Sequence, residues 1–174
     1  WLGLGSKHGS YGKVYAVDPH KGSAEHHIKY GEGVDTYNEF IANIQKAGAN
    51  DVIEPVRKPS VEVAHDFKQS VGFIFIDGDH SYEAVEKDFL AWFPRVIDGG
   101  VMAFDDTIGW DGPRKVVSKY LYTSRHFKNV RFLGPITYGT KVSANTIIDR
   151  FMNHYRLFLK NVVWFCVAGP LTRV

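Results

Sequence analysis

VGFIFIDGDHS, Val71–Ser81, is the stretch whose reading decides the fold. Residues 72–76, Gly-Phe-Ile-Phe-Ile, form an uninterrupted apolar run rich in β-branched and aromatic side chains. A central parallel strand, buried on both faces, has this signature. The run stops at Asp77, and Gly78, Asp79 and His80 follow. From there SYEAVEKDFLAWF has the spacing of an amphipathic helix over Ser81–Phe93, with Ser81 as N-cap. Glu83 and Glu86 sit where a helix N-terminus favours negative charge. The order is buried strand, acidic turn, helix. In open α/β sheets ligands bind at such junctions, because the carboxyl ends of the strands open into a crevice.

Outward from this unit the alternation repeats. Upstream, KVYAV (Lys13–Val17) reads as a strand ending in Asp18-Pro19-His20, and the polar, glycine-rich His20–Asp35 as a loop. Thr36–Ala47 carries Tyr37, Phe40, Ile41 and Ile44 at helical spacing, and Gly48 closes that helix. A short strand over Asp51–Val56 and a short helix over Ser60–Phe67, behind Pro59, complete this half. Downstream, Pro94 and then Gly99-Gly100 end the helix, and Val101–Phe104 is a second buried strand ending in Asp105-Asp106. Gly112–Thr123 reads as a helix. Asn129–Leu133 and Ile136–Val142, turned by Gly134-Pro135, read as an antiparallel edge pair. Asn145–Val163 is a long amphipathic helix with apolar residues at Phe151, Tyr155, Phe158 and Leu159. Strands alternating with helices predict an α/β protein with a doubly wound, mostly parallel sheet.

Four glycines in the opening residues, Gly3, Gly5, Gly9 and Gly12, invite a dinucleotide-loop reading. That fingerprint needs a strand before the glycines and a full helix after them. Here no strand precedes them and Lys13 starts the next strand at once, so the segment reads as a helix end followed by a loop. Its start in mid-element, on Trp1, leads us to expect residues upstream.

Composition narrows the class. A chain of 174 residues suits one domain, 1–174, N-terminally incomplete on this reading, with 143–174 as a C-terminal helical extension. The 44% hydrophobic and 23% charged content is that of a soluble globular protein. A formal charge of +2 with no lysine-arginine block argues against a nucleic-acid partner. The lone cysteine, Cys166, lies in VVWFCVAG, so an internal disulfide is ruled out and a buried thiol is expected. That run is too short for a bilayer and nothing at the start resembles a signal peptide. The expectation is a cytoplasmic protein without a membrane partner; a homo-oligomer stays open.

Three strand ends carry acids: Asp18, Asp77 and the Asp105-Asp106 pair. An acid at the end of the second strand of such folds commonly accepts hydrogen bonds from ribose hydroxyls, which is one role for Asp18; capping a turn before Pro19 is the other. Asp77, Asp105 and Asp106 converge if their strands are neighbours. Like charges packed together need a cation or protonation, and an all-oxygen donor set favours a hard divalent ion such as Mg²⁺, or Mn²⁺. Asp77 as an Asx-turn residue, Asp105 and Asp106 as solvated loop acids, and His80 as a first-turn residue are the plainer readings of the same positions. Asp79 fits the turn or a helix cap better than a metal. His8 and the His26-His27 pair lack the cysteine or acid spacing of a transition-metal site. Trp92, Trp110 and Trp164 read as core or lid aromatics, with Trp110 placed to line an acceptor pocket.

VYAVDPH followed by FIFIDGDHSYEAVEKDFLAWFPRVIDGGVMAFDD resembles the core of class I S-adenosylmethionine-dependent methyltransferases. The likeness runs from about Lys13 to Lys141 and is nearest to metal-dependent O-methyltransferases, including those acting on macrolide sugars. It implies a Rossmann-like methyltransferase sheet, S-adenosyl-L-methionine as cofactor, and a small-molecule hydroxyl, a sugar or polyol, as acceptor. It further implies Asp18 on the cofactor ribose, Ser60 near the adenine, Asp77 at the cofactor and metal, Asp105 and Asp106 on Mg²⁺, and His80 as general base. Catechol-type relatives carry lysine where His80 stands. The family's glycine-rich loop, which follows its first strand, falls upstream of Trp1 and is absent from this chain, so that first strand is missing too on this reading.

The reaction so implied is direct methyl transfer from the sulfonium to an acceptor hydroxyl whose proton His80 takes. Two other classes stay open. A decayed methyltransferase fold would keep the architecture and bind without turnover, against which the intact Asp77, His80 and Asp105-Asp106 set argues. A nicotinamide-dependent reductase would need a dinucleotide loop, and a short-chain reductase a tyrosine with lysine one helical turn on. After Tyr120 that position is Ser124.

Overall fold

The computed structural model describes residues 1–9, 12–22, 27–28, 31 and 33–167. The chain divides into two compact units, Trp1–Asp66 and Phe67–Val174.

In the first unit, helix α1 (Leu2–Gly9) precedes strand β1 (Val14–Val17), helix α2 (Tyr37–Lys46), strand β2 (Ile53–Val56) and helix α3 (Ser60–Asp66). The glycine-bearing opening is therefore helical, with no strand ahead of the glycines among the described residues. β1 and β2 pair in parallel, Val14 opposite Ile53 through Val17 opposite Val56. α2 stops where Gly48 predicts. The Gly48 amide donates to the Gln45 carbonyl at 2.9 Å and the Ala49 amide to Ile44 at 3.0 Å. These two bonds are the Schellman pattern that satisfies the last carbonyls of a helix. The predicted loop from His20 to Asp35 includes 23–26, 29, 30 and 32, outside the described residues, as are Ser10 and Tyr11.

In the second unit, strand β3 (Val71–Ile76) leads into helix α4 (Tyr82–Trp92), a 3₁₀ turn (Phe93–Arg95), strand β4 (Val96–Phe104), helix α5 (Asp111–Val117) and a π-helical turn (Ser118–Tyr122). Strands β5 (Phe127–Leu133) and β6 (Ile136–Lys141) and helix α6 (Ile147–Val167) follow. The sheet order is β3-β4-β6-β5, with β3 and β4 parallel and β6 antiparallel to both β4 and β5. The antiparallel pair thus lies at the sheet's side, as the sequence predicts, with β5 on the margin. α4 starts at the predicted N-cap: Ser81 has an extended backbone and its Oγ accepts the Ala84 amide at 3.3 Å. The face of α4 that recurs at i, i+4 and i+7, Val85, Phe89 and Trp92, is buried. Phe89 stacks on Tyr120 at 4.4 Å and touches Phe93, Phe104 and Phe127, which joins α4 to the sheet. Truncating such a side chain to alanine costs roughly 3–5 kcal/mol.

Four expectations need correction. β3 is not a central strand buried on both faces: among the described residues it pairs only with β4, at the margin of the order β3-β4-β6-β5, so its Gly72 and Phe73 are exposed and only Ile76 is buried. Gly99-Gly100 do not end a helix. They lie inside β4, where the register against β3 jumps between Val71 and Phe73, and Gly99 has φ +86. A Cβ on Gly100 would stand 2.8 Å from Val96 Cγ1 and 2.9 Å from the Ile97 carbonyl oxygen. The glycines make the bulge in which one strand carries an extra length against its partner.

The other two concern α6. Its apolar stripe looks outward: Phe151, Tyr155 and Phe158 are exposed, whereas Asn153 and Lys160 are buried. The cause is the irregular margin of β5, where the register slips between Lys128 and Arg131 and Asn129 takes φ +52. That leaves main-chain groups unpaired with β6, and α6 answers them with polar side chains. Asn153 Oδ1 accepts the Val130 amide (3.2 Å), Asn153 Nδ2 donates to the Phe127 carbonyl (3.0 Å), and Arg156 donates to the Val130 carbonyl (3.3 Å). A buried main-chain group without a partner costs more than these side chains lose on desolvation. On the same outward side Cys166 is exposed, not buried; the residues that follow Val167 lie outside the described ones.

Candidate active site

β3 and β4 run side by side with Ile76 opposite Phe104, so the residues after each emerge at one end of the sheet. Asp77 to His80 follow β3, and Asp105 and Asp106 follow β4, with the Asp105 amide donating to the Ile76 carbonyl at 3.0 Å. A small cleft between the two turns is lined by Asp77, Asp79, His80 and Asp105 above a floor of Ile76 and Phe104. Three of the four predicted residues of this unit, Asp77, His80 and Asp105, thus line one cleft, and the fourth, Asp106, reaches it through His80.

His80 and Asp106 meet directly, Nε2 to Oδ2 at 2.9 Å. Two features fix that geometry. Asp106 sits in the left-handed region at φ +56, which aspartate tolerates better than most residues, and its amide donates to Asp105 Oδ1 at 2.8 Å. The Trp110 indole stacks on the imidazole, centroids 4.4 Å apart and planes 19° from parallel. The sequence placed Trp110 beside the acceptor; a ring contact across a loop leaves no spacing signal.

Gly112 went unnoticed in the sequence. A Cβ there would strike the His80 carbonyl oxygen and stand 2.7 Å from the Tyr82 nitrogen and 2.8 Å from the Ser81 carbonyl carbon. The start of α5 therefore lies against the turn that presents His80, an approach only glycine permits. Thr107, directly after the acidic pair, is buried and held on several sides. Its amide and hydroxyl donate to the Pro135 carbonyl (2.9 and 2.6 Å), its hydroxyl meets Thr137 Oγ1 (2.7 Å), and its carbonyl accepts Lys160 Nζ (2.5 Å). Lys160 was not distinguished in the sequence from the other cations of its helix.

The acids differ in setting. Asp79 behaves as the turn residue expected: Oδ1 accepts the Ser81 amide at 2.7 Å, and the Ser81 hydroxyl and amide hold its carboxyl below the ordinary range. Asp77 is displaced the other way. Partial burial at the strand end and then the charges of Asp105 and Asp106 hold its carboxyl above the usual range, against the pull of His80. Asp77 keeps one side open to water, so the displacement reflects crowded like charges as well as lost solvent. Such a set suits a hard cation chemically. Among the described residues, however, no group of three or more His, Cys, Asp or Glu side chains is already arranged to hold a metal ion. His26 lies outside the described residues.

Asp18 and Ser60 belong to the first unit. Asp18 follows β1, its amide donating to the Val56 carbonyl at 3.2 Å, and its Oδ1 accepts the His20 amide at 2.6 Å. His20, at φ +57, is buried between Tyr37 and Phe40, with Nδ1 3.0 Å from Thr36 Oγ1. The turn-capping reading of Asp18 is thus present. The carboxylate is also exposed, and it has acceptor capacity beyond the one amide, which suits a pair of hydroxyls. Ser60 opens α3 and is half-buried.

An uncharacterized protein of Sinorhizobium fredii, y4gI, is 32% identical over 96 residues, which are 55% of this chain and 10% of that protein. Among solved structures the O-methyltransferase NovP superposes with a TM-score of 0.58 at 14% identity, covering 75% of this chain and 60% of NovP. The calicheamicin methyltransferase CalS11 superposes with a TM-score of 0.56 at 16% identity, covering 80% and 66%. At these identities the superpositions speak for the fold, a Rossmann-like α/β methyltransferase architecture. Residues 1–107 match the profile of the family described as methyltransferase domain, and the chain belongs to that family.

Proposed function

We propose that the protein transfers a methyl group from S-adenosyl-L-methionine to a hydroxyl of a small molecule, a sugar or polyol bearing a neighbouring oxygen, in the cytoplasm. The observation that carries this reading is the His80–Asp106 pair, 2.9 Å apart, set beside Asp77 and Asp105 at the ends of two parallel strands in a chain of the methyltransferase domain family. S-adenosyl-L-methionine supplies an electrophilic methyl group, and a divalent cation lowers the pKa of an oxygen bound to it.

His80 takes the acceptor's hydroxyl proton on its imidazole as the oxygen attacks the methyl group. Asp106, paired with the ring through Nε2, fixes the tautomer and stabilises the imidazolium that forms. Trp110 stacked on the imidazole holds its plane. Asp77 and Asp105, whose like charges a cation would offset, are the oxygens best placed to hold Mg²⁺ or Mn²⁺ near the acceptor, with Asp106 adjacent. Asp18 and Ser60 are the proposed cofactor contacts of the first unit, to ribose and adenine.

Calorimetry with S-adenosylmethionine and S-adenosylhomocysteine, with and without Mg²⁺, and a methyl-transfer assay on sugar and polyol acceptors test this directly. His80→Ala should lower turnover roughly 10²–10⁴-fold and remove the acidic limb of the pH–rate profile, with cofactor affinity unchanged. Full activity after exhaustive chelation would eliminate the cation. Cofactor binding without turnover on any acceptor would favour a non-catalytic binding domain.

A further inference from the structure

We infer that α6 is a homodimerisation element, pairing two copies of this chain through its outward face. Ile148, Phe151, Tyr155, Phe158, Val162 and Phe165 recur at alternating spacings of three and four, an unbroken a/d seam. All six are exposed, from 44% at Val162 to 71% at Ile148 and Phe151. The positions directly behind the seam, Asn153 and Lys160, are the buried ones that tie the helix to its own unit. The seam therefore points away from the fold that carries it, and the rows beside it add exposed Ile147 and Leu159.

The size of the face argues for a partner of the protein's own scale. At the 150–250 Å² that an aromatic side chain can bury, and somewhat less for an aliphatic one, these exposures leave on the order of 900 Å² of apolar surface open to water. The largest apolar patch of an ordinary monomer is about 300–600 Å², whereas a standard interface buries about 800 Å² on each partner. The charge pattern argues for a second copy. The flanking rows are Ile147, His154 and Asn161 on one side and Met152, Leu159 and Cys166 on the other, with no acid, lysine or arginine among them. Asp149, Arg150 and Arg156 all fall outside these rows. An identical partner thus brings no like-charge repulsion, and a partner of opposite charge has nothing to recognise.

The spacing is also self-complementary. About a two-fold axis with antiparallel helices, Ile148 packs on the partner's Phe165, Phe151 on the partner's Val162, and Tyr155 on the partner's Phe158, which fills every layer.

Sedimentation equilibrium and light scattering over roughly 1–100 µM chain test the inference. The expected mass is twice the 19.7 kDa of one chain. Phe151→Glu with Phe158→Glu should shift the protein to monomer at every concentration, with its far-ultraviolet circular dichroism unchanged, because both side chains already face water. Ile148→Glu with Val162→Glu, on two other layers, should do the same and guards against a local fault in the first pair. A wild-type chain that stays monomeric, a dimer that survives both double substitutions, or a monomer that instead floats with phosphatidylcholine vesicles overturns the inference.

Discussion

Lys160→Met should make the protein's stability respond differently to pH, and the size of the change follows from where Lys160 sits. Its side chain is buried, its Nζ donates to the Thr107 carbonyl at 2.5 Å, and burial, then the nearby Arg114 charge, push its pKa from the ordinary 10.5 down to about 7. Between pH 7 and 10.5 the unfolded chain therefore carries a proton that the folded chain lacks, so stability rises with pH through this window. Below about pH 7 both states are protonated and the whole cost of the buried charge is present. That cost has a ceiling of roughly 3–5 kcal/mol, and the slope within the window at most about 1.4 kcal/mol per pH unit. Methionine fills the same space, removes the titration, and leaves the Thr107 carbonyl short of a donor, a pH-independent loss of about 1–3 kcal/mol. The two stability curves must therefore differ in slope. At pH 10 the variant should be the less stable protein; at pH 7 its deficit should shrink by at least about 1 kcal/mol or reverse. Urea unfolding monitored by circular dichroism at pH 7, 8, 9 and 10 measures this. Parallel curves would refute the argument, because they would mean that Lys160 keeps its proton in the fold.

Gly112→Ala should destabilise the second unit by about 1–3 kcal/mol or more, since the new methyl group meets main-chain atoms of His80, Ser81 and Tyr82; a thermal midpoint equal to wild type would show that α5 can withdraw from the turn. Asp18→Ala should raise the dissociation constant for S-adenosylhomocysteine about tenfold or more, one lost charge-assisted bond, and an unchanged constant would leave Asp18 as the cap of the His20 turn alone. Asp77→Asn should leave stability equal or slightly higher, because it removes one of three crowded charges; a loss above about 1 kcal/mol in a thermal melt would instead make the carboxylate a structural turn residue.

The sequence revealed local structure where local chemistry dictates it. The apolar run at Gly72–Ile76 declared a strand, though not its place: β3 lies at the margin of its sheet and only Ile76 is buried. Ser81 at the start of α4 and Gly48 after α2 act through hydrogen bonds to residues within one turn, which spacing displays. Long-range pairing is where the reading strayed. Gly99-Gly100 look like a helix stop because glycine punctuates any element; only the register against β3 makes them a bulge. The periodicity of α6 declared an apolar stripe but carried no sign for which side is inward. That sign comes from the main-chain groups left open on β5, which draw Asn153 and Arg156 inward. Of the site, the carboxylates and His80 were visible because they terminate strands. Trp110, Gly112, Thr107 and Lys160 act through contacts between segments far apart in the chain and had no such marker.

The three acids do not have equal claims on a cation. Asp106 Oδ2 is committed to His80 Nε2 at 2.9 Å, and the left-handed backbone at Asp106 is what aims it there. Asp105 ranks ahead of Asp106 among the charges that hold the Asp77 carboxyl high. Mg²⁺ is commonly held by one or two carboxylates, with water and substrate oxygens completing the shell, so Asp77 and Asp105 suffice. On the proposed function Asp106 would then be the acid that orients the base. Substituting amides one at a time separates the roles. Asp105→Asn should weaken Mg²⁺ binding measured by calorimetry. Asp106→Asn should leave that affinity within about threefold yet cut turnover roughly 10²–10⁴-fold, because an amide offers the ring a donor where it needs an acceptor and selects the wrong tautomer. Equal loss of Mg²⁺ affinity in both variants would return Asp106 to the ligand set and leave His80 without its orienting partner.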